Sequence, residues 1–339
     1  MVALYVVSAE EAAGKTTIGA GVGKYLQDDG KKVGFLKPII ADKKPSGSNT
    51  DAAFMKQVLS SSEMVDTLCP LVSEEGVLAN KVTEAYVKAS QDRDVIIIEG
   101  MCGQSPNDNL SKACYEIAEA LKTKVIIVEG YSQQLFQRFS TYKGFGRNLL
   151  GIVLNKVPRS RLQCLSDEIS PQFDKAGISI LGVLPEDRDL FTLTIDELAD
   201  HIQGEILNNT EKSAELVENF MLGAISVDSG LEYFGRKTNK AVVVRDNRPD
   251  MQLAALETPT RCLVISGDTA PIYSVRYRAE DKGVPIITTQ HDTTTIVKNI
   301  EEALGKARFN QEKKLPRLAE ITEQHLDLQT ICSGLGLID

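Results

Sequence analysis

The sequence predicts an α/β chain, with a doubly wound, mostly parallel sheet in front and a smaller α/β unit behind. Three observations predict it. Short, β-branched apolar runs recur from the first residues onward. Stretches with a helical period of polarity lie between them. The alternation breaks at the polar segment Asn208–Ala214 (NNTEKSA) and then resumes with smaller elements. A length of 339 residues agrees with this division, because domains usually run about 100–200 residues.

In chain order, VALYVV (2–7) and KKVGFLK (31–37) read as the first two strands. DVIIIEG (94–100), KVIIVEG (124–130), LLGIVLNKV (149–157) and ISILGVLP (178–185) follow. They are nearly continuous in apolar residues, as strands covered on both faces are. Helices are expected over Thr16–Asp28, Gly76–Ser90, Leu110–Leu121, Gln133–Lys143 and Arg159–Lys175. Strand–helix alternation of this kind builds a parallel sheet, whose ligands sit at the carboxyl ends of the strands. Behind the polar break, FMLGAI (220–225), KAVVVR (240–245), RCLVIS (261–266) and VPIITT (284–289) are the strands. Helices are expected near 249–256, 271–282 and 294–304. The expected domains are 1–208 and 209–325, with a tail over 326–339.

Composition excludes several classes. The formal charge of −9 and pI of about 5.1 disfavour nucleic acid and anionic lipid as partners, since an acidic surface repels both. The cysteines form no CxxC pair, and His201, His291 and His325 fall in no metal-binding spacing. Scattered reduced thiols are expected, not disulfides or zinc. No apolar run reaches the about 20 residues that span a bilayer. The stretch VALYVV is too short for a signal peptide and runs straight into a polar turn. A cytoplasmic location is expected.

The turn after the first strand carries the chemistry. It reads Ser8-Ala-Glu-Glu-Ala-Ala-Gly14-Lys15-Thr16-Thr17 and leads into a helix. Gly14, Lys15 and Thr16 fit the end of GxxxxGK[ST], with Ala9 where the first glycine should stand. Backbone N–H groups of such a turn point at phosphate oxygens. On this reading Glu11, Ala12, Ala13, Gly14, Lys15, Thr16 and Thr17 cradle the nucleotide. Lys15 neutralises the β- and γ-phosphates, and the Thr16 hydroxyl ligates Mg2+.

Four further segments extend the pattern: Gly34-Phe-Leu-Lys37-Pro38, Asn49-Thr-Asp51-Ala52, Glu99-Gly-Met-Cys-Gly103 and Leu154-Asn155-Lys-Val157. With the loop, in this order over about 200 residues, they resemble the dethiobiotin synthetase-like P-loop family, and so imply a P-loop NTPase sheet. The resemblance implies ATP and Mg2+ as cofactors. Asp51 and Glu99 join Thr16 in an all-oxygen Mg2+ site, which suits a hard cation. Lys15 and Lys37 face the transferring phosphoryl group or a substrate anion as the catalytic pair, and Asn155 reads the adenine edge. The family also implies a homodimer. Taken singly, each residue has a plainer reading. Asp51 could cap a helix, Glu99 could sit in a solvated loop, Asn155 could serve a turn, and Lys37 could lie on the surface. Ser8 and Ala9 leave the loop without its leading glycine, and Glu99-Gly-Met101-Cys-Gly replaces a glycine-richer strand end. The ATP half is thus kept better than the substrate half.

Residues from about 212 resemble the DRTGG domain, through Asp246-Asn-Arg248, the following Asp250-Met-Gln-Leu-Ala-Ala-Leu256, Ser266-Gly-Asp268 and Gly283–Thr293. Arg248 near free strand-end amides could hold a second small anion. The alternative is a turn with a surface ion pair at Asp246 and Arg248. Asp292 is expected to cap a helix, with His291 a poor candidate for a base. The pairing of the two domains resembles the N-terminal half of long phosphate acetyltransferases. Since the chain stops at Asp339, the expectation is a stand-alone regulatory region that binds ATP-Mg. The competing reading is an ATP-dependent ligase-like enzyme that phosphorylates a carboxylate or carbamate. Amidation would need a glutaminase cysteine, and Cys262 lies inside an apolar strand pattern instead.

Overall fold

The first apolar run, VALYVVS, forms strand β1 (Val2–Ser8), buried from Ala3 onward. The computed structural model describes residues 1–40, 48–72, 78–132, 135–162, 165, 169–187, 190, 192–223, 230–306 and 314–338. After β1 come α1 (Lys15–Asp28), β2 (Val33–Leu36), β3 (Ile39–Ile40), α2 (Ser48–Val58), α3 (Val65–Leu68), β4 (Leu71–Val72), α4 (Leu78–Ala89) and β5 (Val95–Met101). Then follow α5 (Asn109–Ala120), β6 (Lys124–Gly130), α6 (Phe139–Lys143), β7 (Leu149–Val157), α7 (Ser170–Ala176) and β8 (Ile180–Pro185).

Six of these strands make one parallel sheet in the order β2-β5-β1-β6-β7-β8. Tyr5, Ile96, Ile98, Val125, Ile127, Ile152 and Leu154 are completely buried within it, as strands with helices on both faces require. The chain leaves β1 toward β2 on one side, and from β5 it crosses to β6 on the other. The strand order therefore reverses at β1, where doubly wound sheets bind ligands. The turn between β1 and α1 lies there.

Helix α1 packs closely because it is glycine-spaced. A Cβ on Gly23 would sit 3.0 Å from both Ile97 and Leu59. On the same helix, a Cβ on Gly21 would collide with the Thr322 hydroxyl of a later helix.

The expected helix over 133–143 is shorter in its described part, a 3-10 turn Leu135–Arg138 running into α6. Of the expected helix over 159–175, the described residues include a 3-10 turn at Arg159–Arg161 and helix α7, which has Pro171 in its first turn. Proline lacks the N–H that a helix interior needs.

By contacts, the chain divides into Met1–Asp187 with Arg308–Asp339, and Arg188–Ala307. These bounds differ from the sequence expectation at both ends. The polar segment read as a linker belongs to the second unit. Asn208 Oδ1 accepts from Ile286 N at 2.8 Å, its Nδ2 donates to Val284 O at 3.1 Å, and Lys212 Nζ donates to Gly283 O. The segment read as a tail, and the end of the stretch assigned to the second domain, belong to the first unit, where the chain forms two more helices, Leu315–His325 and Leu328–Gly334. Leu318, Ile321, Ile331 and Leu335 are buried there.

The second unit holds β9 (Leu193–Thr194), α8 (Ile195–His201), β10 (Glu205–Ile206), β11 (Leu216–Val217), β12 (Asn219–Leu222) and α9 (Gly230–Phe234). It continues with β13 (Lys240–Arg245), α10 (Pro249–Leu256), β14 (Thr260–Ser266), α11 (Tyr273–Lys282), β15 (Ile286–Thr289) and α12 (Thr293–Lys306). Its sheet runs β10-β15-β14-β13-β12, parallel except for β10.

Substituting Gly21→Leu should force Leu315–His325 off α1 and cost about 1–3 kcal/mol, the usual penalty for overpacking. Urea unfolding of the full chain followed by circular dichroism measures it, and an unchanged midpoint would contradict this packing.

Candidate functional site

The turn from Ser8 to Gly14 is shaped by its own residues. The Ser8 hydroxyl donates to Glu10 O at 3.0 Å and accepts from Glu10 N at 2.9 Å, which closes the start of the turn. Gly14 has φ 99°, a left-handed conformation that favours glycine. Ala12 is also left-handed, at φ 56°. Helix α1 then starts with no side-chain cap and no acidic residue in its first turn. Its first amides are free of a capping carboxylate, and the positive end of the helix dipole faces the turn. Such an end is suited to an anion.

Lys15 and Thr16 project from this end. Lys15 is buried, and its Nζ donates to Glu10 O at 3.1 Å. Burial lowers its pKa, with Lys37 acting in the same direction and Glu99 opposing. The Thr16 hydroxyl donates to Glu99 Oε2 at 2.8 Å. Glu99 lies inside β5 and is 3% exposed, so it is not the solvated loop residue of the plainer reading. Asp51 sits in the first turn of α2, which begins at Ser48, and therefore is not its cap. Lys37 follows β2 and joins the two acids: its Nζ donates to Asp51 Oδ2 at 2.7 Å and to Glu99 Oε1 at 2.6 Å. Burial works against that ammonium, but Glu99 and Asp51 outweigh it and hold the Lys37 pKa above its usual value.

Thus Lys15, Thr16, Lys37, Asp51 and Glu99, spread between positions 15 and 99, meet beside one helix end. Two carboxylates face two ammonium groups, so the cluster is close to charge-balanced as it stands. The oxygen set of Thr16, Asp51 and Glu99 suits Mg2+, which takes one or two carboxylates and fills its shell with water and phosphate. No larger group of acidic, histidine or cysteine ligands occurs among the described residues. A cation bound by Asp51 and Glu99 would take over the neutralising role that Lys37 now fills.

Asn155 stands at the end of β7. Its Nδ2 donates to Ala13 O at 2.9 Å, so the side chain braces the turn. A Cβ at position 14 would collide with this amide. Of the remaining loop residues, Ala13 is buried, Glu11 and Ala12 are exposed, and Thr17 is half-buried.

Two residues that matter here were not singled out from the sequence. Glu129, near the end of β6 and wholly buried, accepts from Ala9 N at 3.0 Å. Arg138, 4% exposed, donates to Glu129 Oε2 at 2.8 Å and to Glu10 Oε1 at 2.7 Å. The signal for Glu129 was present as a repeated pattern, since Ile-Ile-Ile-Glu-Gly ends one strand and Ile-Ile-Val-Glu-Gly ends another. Both strands flank β1. The turn is therefore held from two sides by strand-end carboxylates.

In the second unit, Arg248 is engaged by Asp250, its Nε and Nη2 donating to that carboxylate at 3.1 and 2.8 Å. Asp246 Oδ2 accepts from Thr269 N at 3.0 Å, and its carboxyl is held below the usual range by that hydrogen-bonding. Gly267 has φ 130°, and a Cβ there would collide with Asp246. The strand-end turns thus pack through Asp246. Asp292 Oδ1 accepts from Thr295 N at 2.7 Å, as expected of a cap, and the His291 ring meets Gln203 Oε1 at 3.2 Å.

Comparison with known proteins agrees with this division. The family model for the AAA domain matches residues 2–192, more than half of the chain, and that for the DRTGG domain matches residues 197–303. Curated relatives are phosphate acetyltransferases. That of Nitrosomonas europaea is 21% identical over 98% of this chain and 51% of its own length. That of Pseudomonas aeruginosa is 22% identical over 95% and 50%, and that of Escherichia coli 20% over 94% and 51%. The chain spans about half the length of these relatives and matches their N-terminal half. Among solved structures, it is similar to the MinD cell division protein of Aquifex aeolicus, with a TM-score of 0.36 and 16% identity over 56% of this chain and 84% of that one. It is also similar to the CBS and DRTGG domains of Clostridium perfringens pyrophosphatase, complexed with diadenosine tetraphosphate, with a TM-score of 0.31 and 15% identity over 47% and 75%. Among the described residues, no helix is long and apolar enough to cross a membrane.

Gly14→Ala should disorder the turn, since the new methyl both meets Asn155 and disfavours the left-handed backbone. A cost of about 1–3 kcal/mol is expected for such strain. Denaturant unfolding tests it, and a neutral result would contradict the contact with Asn155.

Proposed function

We propose that this chain, which belongs to the AAA domain family through residues 2–192 and carries a DRTGG domain behind it, is a regulatory protein that binds ATP with Mg2+ in its first unit. One observation carries this reading. A buried lysine, a threonine hydroxyl and two carboxylates converge beside an uncapped helix N-terminus at the point where the strand order reverses. Loop amides and Lys15 would hold the phosphates. Thr16, Asp51 and Glu99 would hold Mg2+, which supplies charge neutralisation on the phosphate oxygens when bound. Asn155 would keep the loop in register from behind, with its Oδ1 left for the base.

The regulatory assignment is supported by the company that the domain keeps. A DRTGG domain follows it, and the match to a curated phosphate acetyltransferase runs over 98% of this chain, across both domains, and 51% of that relative's length. The second unit would take a small anionic ligand at its strand ends. That site would need Arg248 to exchange its Asp250 partner for the ligand. The protein would act in the cytoplasm as a homodimer.

One observation favours the enzymatic alternative. Lys37 is half-buried on the acids that would hold the metal, and so sits where a transferring phosphoryl group would need a counter-charge. A ligase-like reaction on a carboxylate or carbamate would use it there.

Calorimetric titration of ATP into the full chain with Mg2+ tests the nucleotide reading. Lys15→Ala should abolish binding, because it removes the charge that faces the phosphates. Affinity within about a factor of 2 of the parent, well under the 1.4 kcal/mol of a tenfold change, would contradict it. Measured phosphate release separates the two readings. Turnover that needs one particular acid supports the ligase, and binding without turnover supports the regulator.

Lys37→Met gives a further test. It leaves Asp51 and Glu99 without their ammonium, and loss of one partner from a buried pair costs about 3–5 kcal/mol. Mg2+ should restore part of the lost stability in this variant and add little to the parent without nucleotide. An equal response of both proteins in thermal unfolding would show that Mg2+ does not use these acids.

A further inference from the structure

Two carboxylates lie against the phosphate loop without belonging to the cation cluster. Glu129 reaches it from β6, and Glu10 is part of the loop itself. The carbonyl of Glu10 takes the Lys15 ammonium, so its backbone sits at the mouth of the anion site. Its side chain, 31% exposed, is turned away toward β6, where Oε1 accepts from Arg138. Its Oε2 lies so close to β6 that a Cβ on Gly130 would come within 3.5 Å.

One guanidinium manages both acids. Arg138 stands at the end of the 3-10 turn that leads into α6, and its Nη1 is shared between Glu10 and Glu129. Burial acts to lower the basicity of Arg138, and the hydrogen bond to Glu10 with the charge of Glu129 outweighs it. Burial also raises the pKa of Glu129, against the pull of the Ala9 amide and Arg138. Glu129 is in turn the acceptor for Ala9 N, the residue that stands where the usual pattern has its first glycine.

A triphosphate placed at the end of α1 would meet a loop with two acids, Glu10 and Glu11, among its residues. A free Glu10 carboxylate there would repel it. We propose that Arg138 is a positioning residue for nucleotide binding, drawing the Glu10 carboxylate out of the phosphate path and, through Glu129, fixing the Ala9 end of the loop. This rests on the reading that Lys15 and its loop bind a triphosphate. Arg138 touches no phosphate in this account. It acts through Glu10, and its effect is electrostatic and grows with the charge of the ligand.

The test is a substitution cycle read by calorimetry with ATP and AMP. Arg138→Gln alone strands the buried Glu129, so the cycle is run in a Glu129→Gln chain, whose amide oxygen still accepts from Ala9 N. There, Arg138→Gln should weaken ATP by about tenfold or more and AMP far less, the gap expected for an added like charge near the phosphates. Adding Glu10→Gln should then return ATP affinity to within about threefold of the Glu129→Gln parent, because the repelling charge is gone. Thermal unfolding of each variant without nucleotide checks that the fold persists. The proposal is overturned if Glu10→Gln does not rescue, or if ATP and AMP weaken equally. A parent chain that binds no ATP at all would instead remove the nucleotide reading beneath it.

Discussion

The first unit depends on how one short turn is held between two buried carboxylates. Strand β1 runs between β5 and β6, and each neighbour ends in a Glu-Gly pair. From one side Glu99 takes the Thr16 hydroxyl, and from the other Glu129 takes the Ala9 amide. These bonds fix both ends of the turn, and Asn155 fixes its middle through Ala13. Buried acids need partners, because an unpaired charge in an apolar interior is very costly. Here the partners are Lys37 for Glu99 and Arg138 for Glu129. The cations are thus part of the frame that shapes the turn, and they also set the charge that an incoming anion meets.

This arrangement has a consequence for ligand entry. The cluster of Lys15, Lys37, Asp51 and Glu99 satisfies itself electrostatically. A nucleotide alone would add negative charge to a balanced site, and a metal alone would compete with a well-placed ammonium. Phosphate and cation entering together would preserve the balance, with Asp51 and Glu99 free to hold the cation and Lys37 free to face the phosphate. On the proposed reading, the site would prefer the metal complex over either component.

Much of the fold was legible because buried parallel strands must be apolar along their whole length. The runs ending in Gly100, Gly130 and Val157, and KAVVVR and RCLVIS in the second unit, all form strands. The domain borders were less legible. Asn208–Ala214 is polar and looks like a linker, yet Asn208 and Lys212 spend their polar groups on the backbone around Val284. The apolar residues of 315–335 return to the first unit, a long-range contact that no local pattern reports. Of the site, Lys15, Thr16, Lys37, Asp51 and Glu99 were legible through their motifs. Glu129 and Arg138 were not, since Glu129 sat in a segment that already read as a strand and Arg138 in one that read as an ordinary helix. Arg248 was open to two readings, an anion ligand or half of a surface ion pair with Asp246, and in the structure it pairs with its neighbour Asp250.

The most direct test of the account is a crystal structure of the chain with Mg2+ and a non-hydrolysable ATP analogue. Phosphates should lie against the first turn of α1, the cation on the Thr16 hydroxyl with Asp51 and Glu99 in its shell, and the Lys37 ammonium should have moved from the acids to a phosphate oxygen. Phosphates bound elsewhere, or Lys37 still bridging Asp51 and Glu99 with the cation outside that shell, would contradict it.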